Sequence, residues 1–253
     1  MRLPRLFRFA AAMLFACATP VFADTIQVAV AANLQYAFDE LREDFRRETG
    51  HEAVPTFGSS GKFVAQISNG APFDVFLSAD TEYPDKLHAA GQTDGAPVVY
   101  AYGALVLWTR KEIDLGNWQS ALAGPEVVKI AVANPQTAPY GREAMRVFEH
   151  FKLIERVKSK LVFGESIAQT TQYIYSKSAD AGITAKSAVL APSLKGQGKW
   201  IDLPRDAYRP IGQGAVILRH GARHHRELAR RFMAFLQSPR ARATFERYGY
   251  TLP

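Results

Sequence analysis

The chain has 253 residues, 47% of them hydrophobic and 22% charged, with a formal charge of +7 and one cysteine. That composition suits one large or two small globular domains with ample core, and no low-complexity tract interrupts it. Basic residues alternate with acids, as in Leu41-Arg42-Glu43-Asp44-Phe45-Arg46-Arg47-Glu48; this is a solvated helix face and argues against nucleic-acid binding.

Residues 1–23 read as an export signal: Arg2, Arg5 and Arg8, an apolar stretch from Phe9 to Cys17, and a small-residue cleavage site at Val21-Phe22-Ala23. The stretch is too short to span a bilayer, and nothing later approaches the ~20 apolar residues a membrane helix needs. Cleavage removes three arginines and no acids, which takes +7 to +4. It also removes Cys17, which rules out thiol catalysis and cysteine-based metal binding in the mature chain. Leu14-Phe15-Ala16-Cys17 is a poor lipoprotein processing site, so a free periplasmic protein is preferred to one anchored through Cys17.

From Asp24 onward, short β runs alternate with helical patterns, which predicts α/β architecture with parallel sheets. The run Ile26–Val30 leads into a helix capped by Asn33, with Leu34, Phe38, Leu41 and Phe45 on one face and Gly50 at its end. Val54–Phe57 leads through Gly58-Ser59-Ser60-Gly61 into a helix that starts at Ser60 and buries Phe63 and Ile67. Asp74–Ala79 is a strand, and Asp80 caps the next helix. The long apolar run Val98–Trp108 is expected to cross between two domains, with Gly103 as its weak point. Strand Lys129–Ala133, helix Gly141–Phe151, strand Leu161–Phe163, helix Ile167–Ser176 and strand Ala181–Thr184 follow. Gly212-Gln213-Gly214 opens a return crossing through Ala215–Leu218, and the helices Glu227–Leu236 and Ala241–Tyr248 end the chain. The reading is two lobes, residues 24–101 plus 212–253 and residues 102–211, with a ligand cleft between them.

Four β runs end in small polar residues that open a helix: Ala32-Asn33, Ser59-Ser60, Pro139-Tyr140-Gly141 and Ser166-Ile167. No histidine sits at any of them. A helix N-terminus exposes unpaired N–H groups and the positive end of the macrodipole, so it holds an anion without a charged side chain. Asn33 and Ser60 have a plainer role as N-caps, worth about 1 kcal/mol each. Gly58-Ser59-Ser60-Gly61-Lys62 lacks the phosphate-loop spacing, and Phe63 stands where a Mg²⁺-binding hydroxyl is needed, so nucleotide binding is rejected.

The segments Ala31-Ala32-Asn33-Leu34, Phe57-Gly58-Ser59-Ser60-Gly61-Lys62, Gly70-Ala71-Pro72-Phe73-Asp74-Val75-Phe76-Leu77-Ser78-Ala79-Asp80, Ala138-Pro139-Tyr140-Gly141 and Arg247-Tyr248-Gly249-Tyr250 resemble the periplasmic molybdate-binding proteins of ABC importers, in order and spacing. The resemblance implies a type II-like periplasmic-binding-protein fold, two mixed sheets flanked by helices. It also implies a tetrahedral oxyanion, molybdate or tungstate, held between the lobes by neutral donors, with no direct protein–metal ligand. Asn33 would donate from side chain or backbone, Ser60 from hydroxyl and N–H, and Tyr140 and Ile167 each from a backbone N–H. Some members add a tyrosine hydroxyl after the strand that here ends Gly182-Ile183-Thr184; this chain has Ala185 there. The implied partner is the importer's membrane permease, met by a monomer, with no cofactor and no catalysis. Glu40, Glu43 and Arg142 are candidate docking charges.

The chemistry agrees: a buried dianion needs many donors, and a donor-only site disfavours phosphate, which keeps a proton near neutral pH. Sulfate shares that logic and is the alternative ligand, separated from molybdate by cavity size. An enzyme is the more distant alternative: Ser59 and Ser60 have no marked base, and no Gly-x-Ser-x-Gly elbow is present. So is a metal-cation-binding protein, for which His220, His224 and His225 are the candidates within a strongly basic run. Tyr100, Tyr102, Trp108, Trp118 and Trp200 read as core or rim residues.

Overall fold

The computed structural model of the protein describes residues 24–253, so the expected export signal and Cys17 lie outside the described residues. Ten strands form two five-stranded sheets. They are β1 (Thr25–Ala31), β2 (Glu52–Gly58), β3 (Val75–Leu77), β4 (Val98–Gly103), β5 (Leu105–Thr109), β6 (Ile130–Ala133), β7 (Leu161–Gly164), β8 (Ala181–Ala185), β9 (Lys199–Asp202) and β10 (Ile211–Ile217). The first sheet runs β2-β1-β3-β10-β4 and the second β7-β6-β8-β5-β9. In each, three parallel strands carry the strand–helix units, and one reversed strand joins them to a fourth: β10 runs antiparallel to both β3 and β4 in the first sheet, and β5 antiparallel to both β8 and β9 in the second. The apolar run from Val98 is two strands broken at Ala104, one in each sheet, rather than a single crossing strand. The chain returns to the first sheet between β9 and β10.

The helices are α1 (Gln35–Thr49), α2 (Ser60–Ser68), α3 (Glu82–Ala89), α4 (Trp118–Ala123), α5 (Pro139–His150), α6 (Ile154–Val157), α7 (Ile167–Tyr175), α8 (Lys186–Leu190), α9 (Arg219–His224), α10 (Arg226–Phe235) and α11 (Pro239–Arg247). None among the described residues is long and apolar enough to cross a membrane. The face of α1 carrying Phe38, Leu41 and Phe45 is fully buried, with the Phe45 and Phe232 rings edge-on at 5.1 Å, and Gly50 ends the helix at φ +75°. Burial of each such side chain contributes about 1.5–3 kcal/mol. A second core lies under α4 and α5, where Trp118 meets Phe151 edge-on at 5.1 Å. Trp108, Trp118 and Tyr100 are buried, while Tyr102 and Trp200 are half-buried. Pro55 lies in β2, an edge strand, where a missing ladder donor is tolerated.

Two local expectations differ from the structure. Asn33 does not cap α1; it lies in a 3-10 turn, Ala32–Leu34, and its side chain points its donors elsewhere. Ser60 is the first residue of α2 rather than its cap, which is Ser59. Asp80 does accept the Tyr83 N–H at 3.1 Å, and Ser166 accepts that of Gln169 at 3.3 Å.

Candidate functional site

Parallel registry brings the four junctions together. In the first sheet Ala31 lies beside Gly58, so the turns after β1 and β2 leave the sheet side by side; in the second, Ala133 beside Gly164 does the same for β6 and β7. Asn33, Ser60, Tyr140 and Ile167 all line one small void of about 10 Å³ and are all buried. Its lining, which includes Ala79, Ala138 and Pro139, contains no carboxylate, imidazole, ammonium or guanidinium. Tyr140 is the second residue of α5, Ile167 the first of α7 and Ser60 the first of α2, all within first turns whose N–H groups have no intrahelical acceptor. A Cβ on Gly141 would lie 2.1 Å from the Ala133 carbonyl oxygen, so only glycine lets α5 start this close to β6.

Ser60 Oγ accepts the Ala79 N–H at 3.0 Å. Its oxygen is thereby fixed while its proton remains to donate into the void. Asn33 is different. Its Nδ2 donates to Gln213 Oε1 at 2.7 Å and to Tyr250 Oη at 2.9 Å, so both side-chain protons are used within the protein. Gln213 Nε2 donates to the Ile211 carbonyl at 2.9 Å; this orients Gln213 to accept and Asn33 to donate. What Asn33 has left for a ligand is backbone, and its Oδ1 has no partner among the described residues.

Sequence reasoning missed several contributors. Ser59 lines the void with a buried Oγ that has no partner among the described residues, and Ala79 orients Ser60 through its N–H. Behind the void, Ser187 Oγ and Tyr250 Oη both donate to the Asn33 carbonyl, at 2.8 and 3.0 Å. Burial pushes the Tyr250 hydroxyl up to about 12 and raises those of Tyr100 and Tyr140 well above the usual range. Ala185, where relatives were expected to vary, ends β8 fully buried. The double-serine turn was visible; the long-range partners of Asn33, 180 and 217 residues away, carried no local signal.

Contacts between the two lobes rim the void. Gly61 N–H donates to the Thr137 carbonyl at 2.9 Å, Tyr83 Oη donates to the Gln136 carbonyl at 3.3 Å, and Lys62 pairs with Glu165 at 2.5 Å. A Cβ on Gly61 would lie 2.6 Å from Tyr83 Oη and 3.0 Å from Thr137 Cα and O. Arg142 of α5 pairs with Asp80, approaches Glu82 at 3.7 Å and covers the Tyr83 ring at 5.2 Å. It is therefore not the free surface charge expected from sequence; Glu43 and Glu40 are likewise engaged, with Arg46 and Arg247. Burial raises the Asp80 carboxyl, against the pull of Tyr83 N–H, Ser78 and Arg142. Burial is also the largest single influence on Arg142 and works against its charge, but the charge and hydrogen bond of Asp80, with Glu82 and Tyr83, together outweigh it and the guanidinium is raised.

Other candidates lack convergent donors. A larger groove on α1 and β2 is lined by Asp39, Arg42, Glu43 and Arg46, whose charges pair with one another. Of the three candidate histidines, His220 and His225 meet at Asp74, while His224 only packs its ring, tilted, beside that of His220, with ring centres 4.6 Å apart.

Residues 26–251 match the family of bacterial extracellular solute-binding proteins. The chain is 39% identical to the molybdate-binding protein ModA of Azotobacter vinelandii, over 99% of this chain and 98% of that one. It is 36% identical to the molybdate-binding protein ModA of Rhodobacter capsulatus, over 95% and 94%. The solved structure of the Azotobacter vinelandii periplasmic molybdate-binding protein superposes with a TM-score of 0.85 at 35% identity, covering 90% of this chain and 99% of that one.

Proposed function

Because the chain belongs to the bacterial extracellular solute-binding proteins, we propose that it captures molybdate, and tungstate with it, and delivers the ion to the permease of an ABC importer. One observation supports this above the rest: four helix starts, two from each sheet, converge on a small buried void without a charged side chain. The donors are the Ser60 hydroxyl and N–H and the backbone N–H groups of Asn33, Tyr140 and Ile167. Charge-assisted hydrogen bonds of this kind are the strong ones, and several together offset the cost of burying a dianion. No step in this role makes or breaks a covalent bond, and no cofactor is needed.

With β4 running to Gly103 and β10 starting at Ile211 in the first sheet, residues 24–103 plus 211–253 form one lobe and 104–210 the other, slightly beyond the bounds expected from sequence, with the hinge at the change of sheet beside Gly103-Ala104. A ligand that contacts both lobes favours the closed form, and the permease recognises that form. Removal of residues 1–23 would release a monomer into the periplasm.

Thermal unfolding with one oxyanion at a time tests the reading. A ligand that binds only the folded state at 100 times its Kd adds about 2.7 kcal/mol. Molybdate and tungstate are expected to raise the melting temperature clearly, and sulfate and phosphate hardly at all. An equal shift with sulfate assigns the site to that smaller oxyanion, and no shift with any of them overturns the oxyanion reading.

A further inference from the structure

Asp74 is fully buried yet carries a carboxylate that the oxyanion site does not use. Its Oδ2 accepts the Gln27 N–H of β1 at 2.7 Å, its N–H donates to the Gln27 carbonyl at 2.8 Å, and its carbonyl accepts the Leu218 N–H at 2.9 Å. A Cβ on Gly221 would lie 2.5 Å from the Asp74 carbonyl oxygen, so α9 presses directly on this residue. The other oxygen, Oδ1, faces the Nδ1 atoms of His220 at 2.9 Å and His225 at 3.0 Å. These three atoms all lie within 4.8 Å of one another, and the two rings are partly exposed.

We propose that Asp74 Oδ1, His220 Nδ1 and His225 Nδ1 bind a divalent transition cation of the zinc type. Imidazole nitrogen and carboxylate oxygen bind such an ion at about 2.0–2.2 Å, which sets neighbouring ligand atoms of a tetrahedron about 3.3 Å apart. The two imidazole–carboxylate separations need to open by only a few tenths of an ångström, and the two Nδ1 atoms lie within 4.8 Å of each other. The hydrogen bond from Gln27 N–H to Oδ2 holds the carboxylate as an orienting contact should. On binding, each neutral ring turns its Nδ1 lone pair to the metal and carries its proton on Nε2. Water completes the fourth position from a groove of about 300 Å³ lined by His220, His224, Arg223 and Gln92. Arg219, Arg223 and Arg226 stand nearby in the chain and oppose a cation, which weakens its binding. The bound ion ties α9 to the turn before β3, away from the oxyanion void.

Calorimetric titration of the untagged protein with Zn²⁺ alone, in buffer free of oxyanions and chelators, tests this. One equivalent is expected to bind; His220→Ala and His225→Ala each weaken it at least tenfold, and His224→Ala changes it less than twofold. Co²⁺ added to the unmutated protein is expected to give the intense visible absorption of a tetrahedral site, a readout that does not depend on a variant's folding. Absence of one-to-one Zn²⁺ binding, binding that survives loss of either ligand histidine, or equal loss with His224→Ala would overturn the assignment.

Discussion

Replacing Arg142 by alanine removes the guanidinium that links α5 in one lobe to Asp80 in the other. Asp80 keeps the Ser78 hydroxyl at 2.9 Å and the Tyr83 N–H at 3.1 Å, but loses its charged partner while only 8% exposed. Hydrogen bonds to charged groups contribute about 1.5–3 kcal/mol. The Arg142 side chain is 26% exposed, so the lower end applies. A loss of about 1.5 kcal/mol is roughly tenfold in Kd. The pair joins two lobes, so this cost falls on the closed form and leaves each lobe's own packing intact. Molybdate titration calorimetry of Arg142→Ala should therefore show a Kd about tenfold higher, with the ligand-free melting temperature nearly unchanged. Burial already raises the Asp80 carboxyl, so the unpaired charge is itself the burden. The double variant Asp80→Asn/Arg142→Ala should accordingly bind more tightly than Arg142→Ala alone. Binding by Arg142→Ala within twofold of the unmutated protein, or a double variant as weak as the single one, would refute the latch.

Ser60→Ala deletes one donor to a charged ligand and should raise the molybdate Kd by about 10- to 150-fold, as one such bond contributes about 1.5–3 kcal/mol; calorimetry showing less than a threefold change would remove the hydroxyl from the site. Gly61→Ala places a methyl against Tyr83 and Thr137. Small-angle scattering should then show that molybdate no longer compacts the protein, and compaction equal to the unmutated protein's would contradict the close approach. Alkaline pH should destabilise the fold. Tyr250 titrates near 12 in the folded protein and near 10 unfolded, so the folded state holds the extra proton and stability falls as pH rises between them. The slope is up to about 1.4 kcal/mol per pH unit for this tyrosine. Denaturant unfolding at pH 9, 10 and 11 measures it, and Tyr250→Phe should flatten it; an unaltered slope would count against the buried hydroxyl.

Much of this arrangement was legible in the sequence because it is local. Period-3.6 apolar patterns marked α1 and α2, Gly50 marked an end, and the small polar turns marked where helices would begin. Parallel pairing then gathered the turns, as any sheet of such units must at the carboxyl ends of its strands. What escaped depends on distant partners. Asn33 looks like a cap until Gln213 and Tyr250 take both its protons. Arg142 looks like a solvated charge until Asp80, 62 residues earlier, meets it across the cleft. Ser59 and Ser60 are adjacent and identical, and only the turn geometry decides which caps α2 and which meets Ala79.

Lys62 and Glu165 face each other across the mouth at 2.5 Å, and residues 24–253 contain no cysteine. Cysteines introduced at those two positions would be the only thiols among residues 24–253, so in protein prepared without residues 1–23 a donor and an acceptor dye attached there would label both lips and nothing else. Their energy transfer would follow the gap in single molecules as oxyanion is added. The same pair, joined by a short bifunctional thiol cross-linker that spans the two former side chains, would hold the mouth shut and show whether an occupied site can still release its ion.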